Sequence, residues 1–168
     1  FQAIANGKYL PGIRERLGLI EVVPEERDSP TVWLHCVSVG ETQAARPLVG
    51  ELRTRFPQHR LVVSTVTVTG QTLAREVFKN DASQIIYFPF DWSFCIRRAF
   101  AAIRPDFVLM METELWPNFL RRCARQRIPV ALINGRISRK SFRGYKLIRP
   151  FIKRVLENIT LAIMQTNS

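Results

Sequence analysis

The chain has 168 residues, 46% of them hydrophobic and 23% charged, which excludes a disordered polymer and suffices for one domain with a buried core. Its 25 Lys and Arg against 14 Asp and Glu give a net charge of +11, a balance suited to an anionic partner: nucleic acid, an acidic membrane face or a phosphorylated substrate. Three scattered cysteines, Cys36, Cys95 and Cys123, argue against a disulfide framework or structural zinc site and are expected as reduced core residues, and no apolar run reaches the ~20 residues of a membrane span.

Residues 1–30 read as a basic lead-in, helical or irregular, with "GIRERLGL" its most patterned part. The domain proper is expected over 31–168. A strand at 31–37 leads to a helix over 42–56, with Ala45, Leu48, Val49 and Leu52 on one face. A β-branched strand at 61–66 precedes a helix over 69–78. A third strand, 83–88, is closed by Pro89, and Asp91 is placed to cap a helix that stops before Pro105. The strand at 107–111 feeds a helix reaching 126, and a fifth strand follows at 129–133. Ser138 or Ser141 starts a helix that runs to about 157, and the last strand is 159–164. Strands alternating with helices define an α/β class: a Rossmann-like, doubly wound parallel sheet. The strands are continuous apolar runs, as burial on both faces requires. Ligands of such sheets bind beyond the carboxyl ends of the strands, so the strand-to-helix turns are where chemistry is sought.

The first exit, "SVGE", offers Ser38, a turn glycine at Gly40 that avoids side-chain obstruction, and Glu41 at a helix start, where the macrodipole favours its ionised form. Taken alone, the motif reads more readily as an ordinary helix-start acid. The second, "STVTVTG", offers Thr67, Thr69 and Gly70, whose hydroxyls and N–H groups suit a phosphate or sugar, or simply a Thr cap and a turn. The third, "FPFD", reads as structure alone. The fourth, "METELWPN", delivers Glu112 and Glu114 from a dry strand into a crowd of Leu115, Trp116 and Pro117, as solvated loop acids or as a site. The fifth, "NGRISRKSFRGY", brings Asn134 and Arg136, the latter placed to pair with a carboxylate or an anionic ligand. No glycine fingerprint of a dinucleotide loop is present, which counts against a nicotinamide-dependent oxidoreductase, and no cluster of metal-ligating residues stands out.

"WLHCVSVGE", "TVTVTG", "METELWPN" and "NGRISRKSFRGY", in that order and spacing, resemble the N-terminal half of the 3-deoxy-D-manno-octulosonic acid (Kdo) transferases, over nearly the whole chain. The resemblance implies one lobe of a GT-B-type, two-lobed glycosyltransferase of lipopolysaccharide biosynthesis. This lobe would take the lipid A precursor, and the CMP-Kdo donor would be bound mainly by a C-terminal lobe absent from these 168 residues. It also implies no required metal or cofactor and a place at the cytoplasmic face of the bacterial inner membrane. The family's catalytic base matches Glu41, and its second important glutamate matches Glu112 or Glu114. An isolated acceptor lobe is expected to be inactive.

The competing reading is a basic α/β nucleic-acid-binding module, built on Arg121, Arg122, Arg125, Arg127 and the stretch from Arg139 to Arg154. It leaves the strand-exit acids unexplained, since they would repel phosphates. The stretch 140–154 interleaves basic Lys140, Arg143, Lys146, Arg149, Lys153 and Arg154 with large apolar residues, a pattern expected to lie against an anionic membrane.

Overall fold

The computed structural model describes residues 11–21, 29–112, 115–135 and 149–165. Six strands alternate with helices in the expected order: β1 (Thr31–Cys36), α2 (Val39–Arg55), β2 (Arg60–Thr65), α3 (Val68–Val77), β3 (Gln84–Tyr87), α4 (Ser93–Ile103), β4 (Phe107–Met111), α5 (Pro117–Gln126), β5 (Val130–Gly135), α6 (Arg149–Leu156) and β6 (Leu161–Met164). A one-turn helix, α1 (Ile13–Arg16), precedes them. The strands form a single sheet of order β3-β2-β1-β4-β5-β6, parallel throughout. The chain winds outward from β1 to β3, crosses back through α4 to β4, and winds outward again. The crossover makes β1 and β4 the topological switch point.

Side chains alternate across the sheet and so build two cores. On one face Trp33, Val62, Val108, Met110 and Leu132 pack under α4, α5 and α6, with Phe100, Phe119 and Val155 among the helix residues. On the other, Leu34, Val63, Leu109 and Met111 pack under α2 and α3 through Ala45, Val49 and Ala74. Trp33 is the centre of the first core. Its ring meets Phe119 edge-on at 5.0 Å and Phe100 at 5.5 Å, and its Nε1 donates to the Ser64 hydroxyl at 2.8 Å. All three cysteines are buried free thiols.

Several boundaries differ from the sequence reading. α2 begins at Val39 rather than 42, which brings Glu41 into its first turn. β5 continues through Asn134 and Gly135 because β6 pairs with it past an irregularity between Leu132 and Gly135. β6 lies at the margin of the sheet and is exposed, so two-sided burial does not extend to the last strand. Asp91 does not cap α4, whose N-cap is Trp92 without a side-chain hydrogen bond. It caps α5 instead: Phe119 N donates to its Oδ1 at 2.8 Å and Asn118 N to its Oδ2 at 3.0 Å. The start of the helix expected at Ser138 or Ser141 lies outside the described residues.

The lead-in is attached to the sheet. Arg16 is buried; its guanidinium lies over the Tyr87 ring at 4.3 Å and donates to Val66 O at 2.7 Å, while Glu15 accepts from Tyr87 N.

Candidate active site at the strand exits

A parallel sheet delivers every strand-to-helix turn to one edge, and the exits of β1 and β2 are fastened together there. Val37 O accepts from both Val66 N and Thr67 N at 3.2 Å. Thr67 caps α3 by accepting from Gly70 N at 3.0 Å. Gly70 is required by packing: a Cβ there would stand 2.8 Å from Thr67 Oγ1 and 3.3 Å from the Ser38 carbonyl carbon. Thr69 is exposed, with its hydroxyl 3.5 Å from that of Thr67. Ser38, Thr67, Thr69 and Gly70 therefore form one surface where the N-termini of two helices meet.

Glu41 closes this surface. It is 5% exposed, its Oε2 accepts from Val37 N at 2.7 Å, and its Oε1 accepts from the Ser38 hydroxyl at 3.2 Å. Ser38 is the N-cap of α2, yet its hydroxyl turns to the carboxylate rather than to a backbone amide. The two donors and the helix dipole hold a carboxylate in one orientation. Gly40 plays a different part from the one expected. Its φ is not positive, and among the described residues a Cβ would meet nothing nearer than Ser38 Oγ at 4.0 Å, so none of their atoms demands a glycine there.

The exits of β4 and β5 are joined in turn, with Glu112 N donating to Ile133 O at 2.9 Å. Glu112 and Asn134 both adopt left-handed backbone, φ 56° and 60°. Asn accepts that conformation easily, whereas for Glu it costs about 1–3 kcal/mol, strain of the kind that collects at functional sites. Glu112 is half-buried. The Asn134 carboxamide oxygen accepts from Gln165 Nε2, which ties the β5 exit to the residue after β6. Glu114 and Arg136 lie outside the described residues.

Beneath this edge is a polar feature that the sequence reading passed over. His35 is fully buried inside β1, stacked on Phe88 at 3.9 Å between ring centroids, with Nδ1 3.0 Å from the Ser64 hydroxyl. Burial lowers its pKa from 6.5 to about 3, opposed by the hydrogen bond to the Ser64 backbone, so the ring is neutral. Its Nε2 and the indole Nε1 of Trp116 are both buried without a hydrogen-bond partner, and the two rings stand 6.1 Å apart. The only sequence signal was a lone histidine within an apolar strand, which more often marks a satisfied core residue.

No group of three or more metal-ligating side chains occurs among the described residues. Nor is any of their helices long and apolar enough to cross a membrane.

The fold and this edge define the class: a Rossmann-like lobe of the GT-B type. The chain matches a UDP-N-acetylglucosamine 2-epimerase structure with a TM-score of 0.54 over 82% of its own length and 42% of that chain, at 15% identity, a likeness of fold alone. The particular family is settled by sequence: residues 11–168 match the family described as 3-deoxy-D-manno-octulosonic-acid transferase (kdotransferase), and the chain belongs to it. It is 28% identical to the 3-deoxy-D-manno-octulosonic acid transferase of Chlamydia trachomatis serovar D over 98% of its length. It is 33% identical to that of Haemophilus influenzae over 81%. The chain spans 38% and 32% of those two relatives.

Proposed function

We propose that this chain is the acceptor-binding half of a Kdo transferase that moves Kdo from CMP-Kdo to the lipid A precursor in lipopolysaccharide biosynthesis. The acceptor is a sugar hydroxyl, a poor nucleophile until its proton is removed. Glu41 takes that proton while the hydroxyl oxygen bonds to the anomeric carbon of Kdo and CMP departs with the bonding pair. The observation that carries this reading is the fixed Glu41 carboxylate, held by Val37 N and Ser38 Oγ where two helix N-termini meet. Glu112, strained at the neighbouring exit of β4, orients the acceptor or tunes Glu41, with Glu114 the alternative for that part. Ser38, Thr67 and Thr69 supply hydroxyls to the acceptor sugar. Gly40 leaves space for its approach, while Gly70 keeps the two exits close enough to share it. Asn134 adds a polar group at the β5 exit, and Arg136, two residues on in sequence, is assigned to the Kdo carboxylate or a lipid phosphate.

The donor site belongs to the remainder of the protein, and no metal or cofactor is assigned. The lobe works at the cytoplasmic face of the inner membrane, with the basic stretch ending in α6 against the anionic leaflet. Lys153 and Arg154 of α6 are exposed, while Val155 on the same helix is buried in the core. The nucleic-acid reading rests on the basic residues alone and leaves the strand-exit acids unexplained.

The test is Kdo transfer by the full-length enzyme bearing Glu41→Gln. Turnover should fall ~10²–10⁴-fold with the fold intact. Near-normal turnover would remove Glu41 from the mechanism. The 168-residue chain alone should transfer no Kdo, and measurable transfer by it would place the donor site here.

A further inference from the structure

On the face of the sheet opposite α2 and α3, α4 and α5 enclose an open groove of about 420 Å³ that begins at their first turns. Arg97 of α4 faces Arg121, Arg122 and Arg125 of α5 across it, with Ser93 and Asn118 at its end. The α5 residues recur at helical spacing, so the three arginines and Asn118 share one face of the helix. Among the described residues none of the four arginines makes an ion pair. The acid whose charge reaches Arg121 is Asp91, and its carboxylate is already committed to the amides of Asn118 and Phe119. Neither helix carries an acidic residue in its first turn. One guanidinium nitrogen, Arg122 Nε, is buried at the groove without a hydrogen-bond partner.

Four like charges gathered around one cavity repel each other, and a guanidinium N–H withdrawn from water without an acceptor costs more than an exposed one. Both penalties disappear when a multivalent anion sits in the groove. Guanidinium forks match phosphate oxygens in pairs, and a dianionic monoester satisfies more of them than a monoanionic diester. The volume falls in the range of small-molecule sites and admits a sugar phosphate or lipid headgroup rather than a bare ion alone. Phe94, 42% exposed at the mouth, and Trp92, 49% exposed beside it, provide an apolar rim on which a sugar face or acyl chain can rest.

We propose that the α4–α5 groove, through Arg97, Arg121, Arg122 and Arg125, is a binding site for a phosphate monoester, separate from the surface around Glu41. The proposal does not depend on the catalytic part given to Glu41. The phosphate can come from a phosphorylated sugar or from a lipid headgroup in the bilayer, and the chemistry of recognition is the same.

Calorimetric titration of the 168-residue chain with glucose 1-phosphate, and co-sedimentation with neutral vesicles doped with phosphatidic acid or with phosphatidylglycerol, separate the sources. Three variants are compared: Arg121→Ala with Arg125→Ala, Arg97→Ala alone, and Arg55→Ala, which removes one charge as Arg97→Ala does, as a control far from the groove. Circular dichroism confirms folding, since Arg97, Arg121 and Arg125 are exposed. The groove variants should each lose tenfold or more in affinity for at least one monoester ligand, while Arg55→Ala stays within twofold of the parent. Loss for glucose 1-phosphate identifies a sugar-phosphate site, and loss for phosphatidic acid vesicles alone identifies a bilayer site. Equal weakening by the groove and control variants, equal affinity for phosphatidylglycerol and phosphatidic acid, or no binding to any of them overturns the proposal and leaves a solvated basic face.

Discussion

Gly70 lies against Ser38: a single added carbon at residue 70 would approach the Ser38 carbonyl carbon to 3.3 Å. This contact holds the β1 exit, which carries Glu41, to the first turn of α3. Gly70→Ala should therefore destabilise the protein. Overpacking costs about 1–3 kcal/mol, and better helix propensity returns only about 1 kcal/mol. Gly40→Ala, at a position open to solvent, should leave the melting temperature unchanged or raise it. Thermal melts of the two variants check this. A Gly40→Ala protein of full stability and reduced transfer in the full-length enzyme would mark Gly40 as a place of substrate approach.

Ser38→Ala removes one donor to Glu41, the Ser38 hydroxyl, and leaves Val37 N in place. In the full-length enzyme the substitution should lower turnover less than Glu41→Gln does, because the carboxylate remains but turns more freely. Steady-state kinetics on both variants give the ranking, and a Ser38→Ala loss equal to that of Glu41→Gln would assign the hydroxyl a direct part.

Asp91 fastens the segment after β3 to the start of α5. Asp91→Ala should cost about 1–2 kcal/mol, the usual value of a helix N-cap, and Asp91→Asn distinctly less because it keeps an acceptor. Chemical denaturation of both variants measures the difference. Equal stability of Asp91→Ala and the parent would show that the Asn118 and Phe119 amides find other partners.

The neutral, buried His35 predicts acid sensitivity. Its folded pKa, about 3, lies below the ordinary 6.5, so the unfolded chain takes up a proton between these values and the folded one does not. Stability from this group is complete above pH 6.5 and is lost as pH falls toward 3, at up to about 1.4 kcal/mol per pH unit. Asp91 acts in the opposite sense above its usual carboxyl range, because burial raises its pKa and the Asn118 and Phe119 amides only partly offset that. The range from pH 6.5 to 5 lies inside the His35 interval, and because Asp91 is common to both proteins the difference between the parent and His35→Gln reports His35 alone. Melting temperatures measured across it should fall with pH, and His35→Gln should flatten the slope. Parallel profiles in the parent and His35→Gln would contradict a neutral His35.

The thiols should be inert in the folded protein. Burial pushes Cys123 up to about 12 despite a backbone hydrogen bond, and it raises Cys36, with the Glu41 charge adding to the effect. Burial raises Cys95 as well, against the pull of Arg98. A thiol reagent at pH 8 should label none of the three before denaturation and all three after it. Fast labelling of the native chain would show an opening that exposes one of them.

The sheet was legible in the sequence because burial on both faces writes the central strands around short apolar runs, as in "LVV" of β2 and "FVLMM" of β4. The same signal misled at β6, since apolarity does not say whether anything covers it. The partner of Asp91 was not legible: a cap is recognised from residues next in sequence, and here the amides it serves lie 27 and 28 residues on. The place of Glu41 at a helix start was legible in the sequence, whereas the side-chain obstruction expected at Gly40 is not found among the described residues, where a Cβ would meet nothing nearer than 4.0 Å. His35 was hidden by its surroundings. One imidazole inside "TVWLHC" does not disturb the strand pattern, and its orphan nitrogen depends on Trp116, far along the chain.

The exposed margin of the sheet bears on how a solution of this chain behaves. Along β6, Leu161, Ile163 and Met164 leave 53%, 51% and 43% of their surfaces open to water. An outermost strand with large apolar side chains is a template on which a strand from another molecule can align, and proteins usually guard such margins with lysine or proline. The net charge of +11 keeps molecules apart at low ionic strength, and added salt removes that protection by screening. Turbidity of concentrated samples should therefore rise with salt, and one lysine in place of Ile163 should keep them clear.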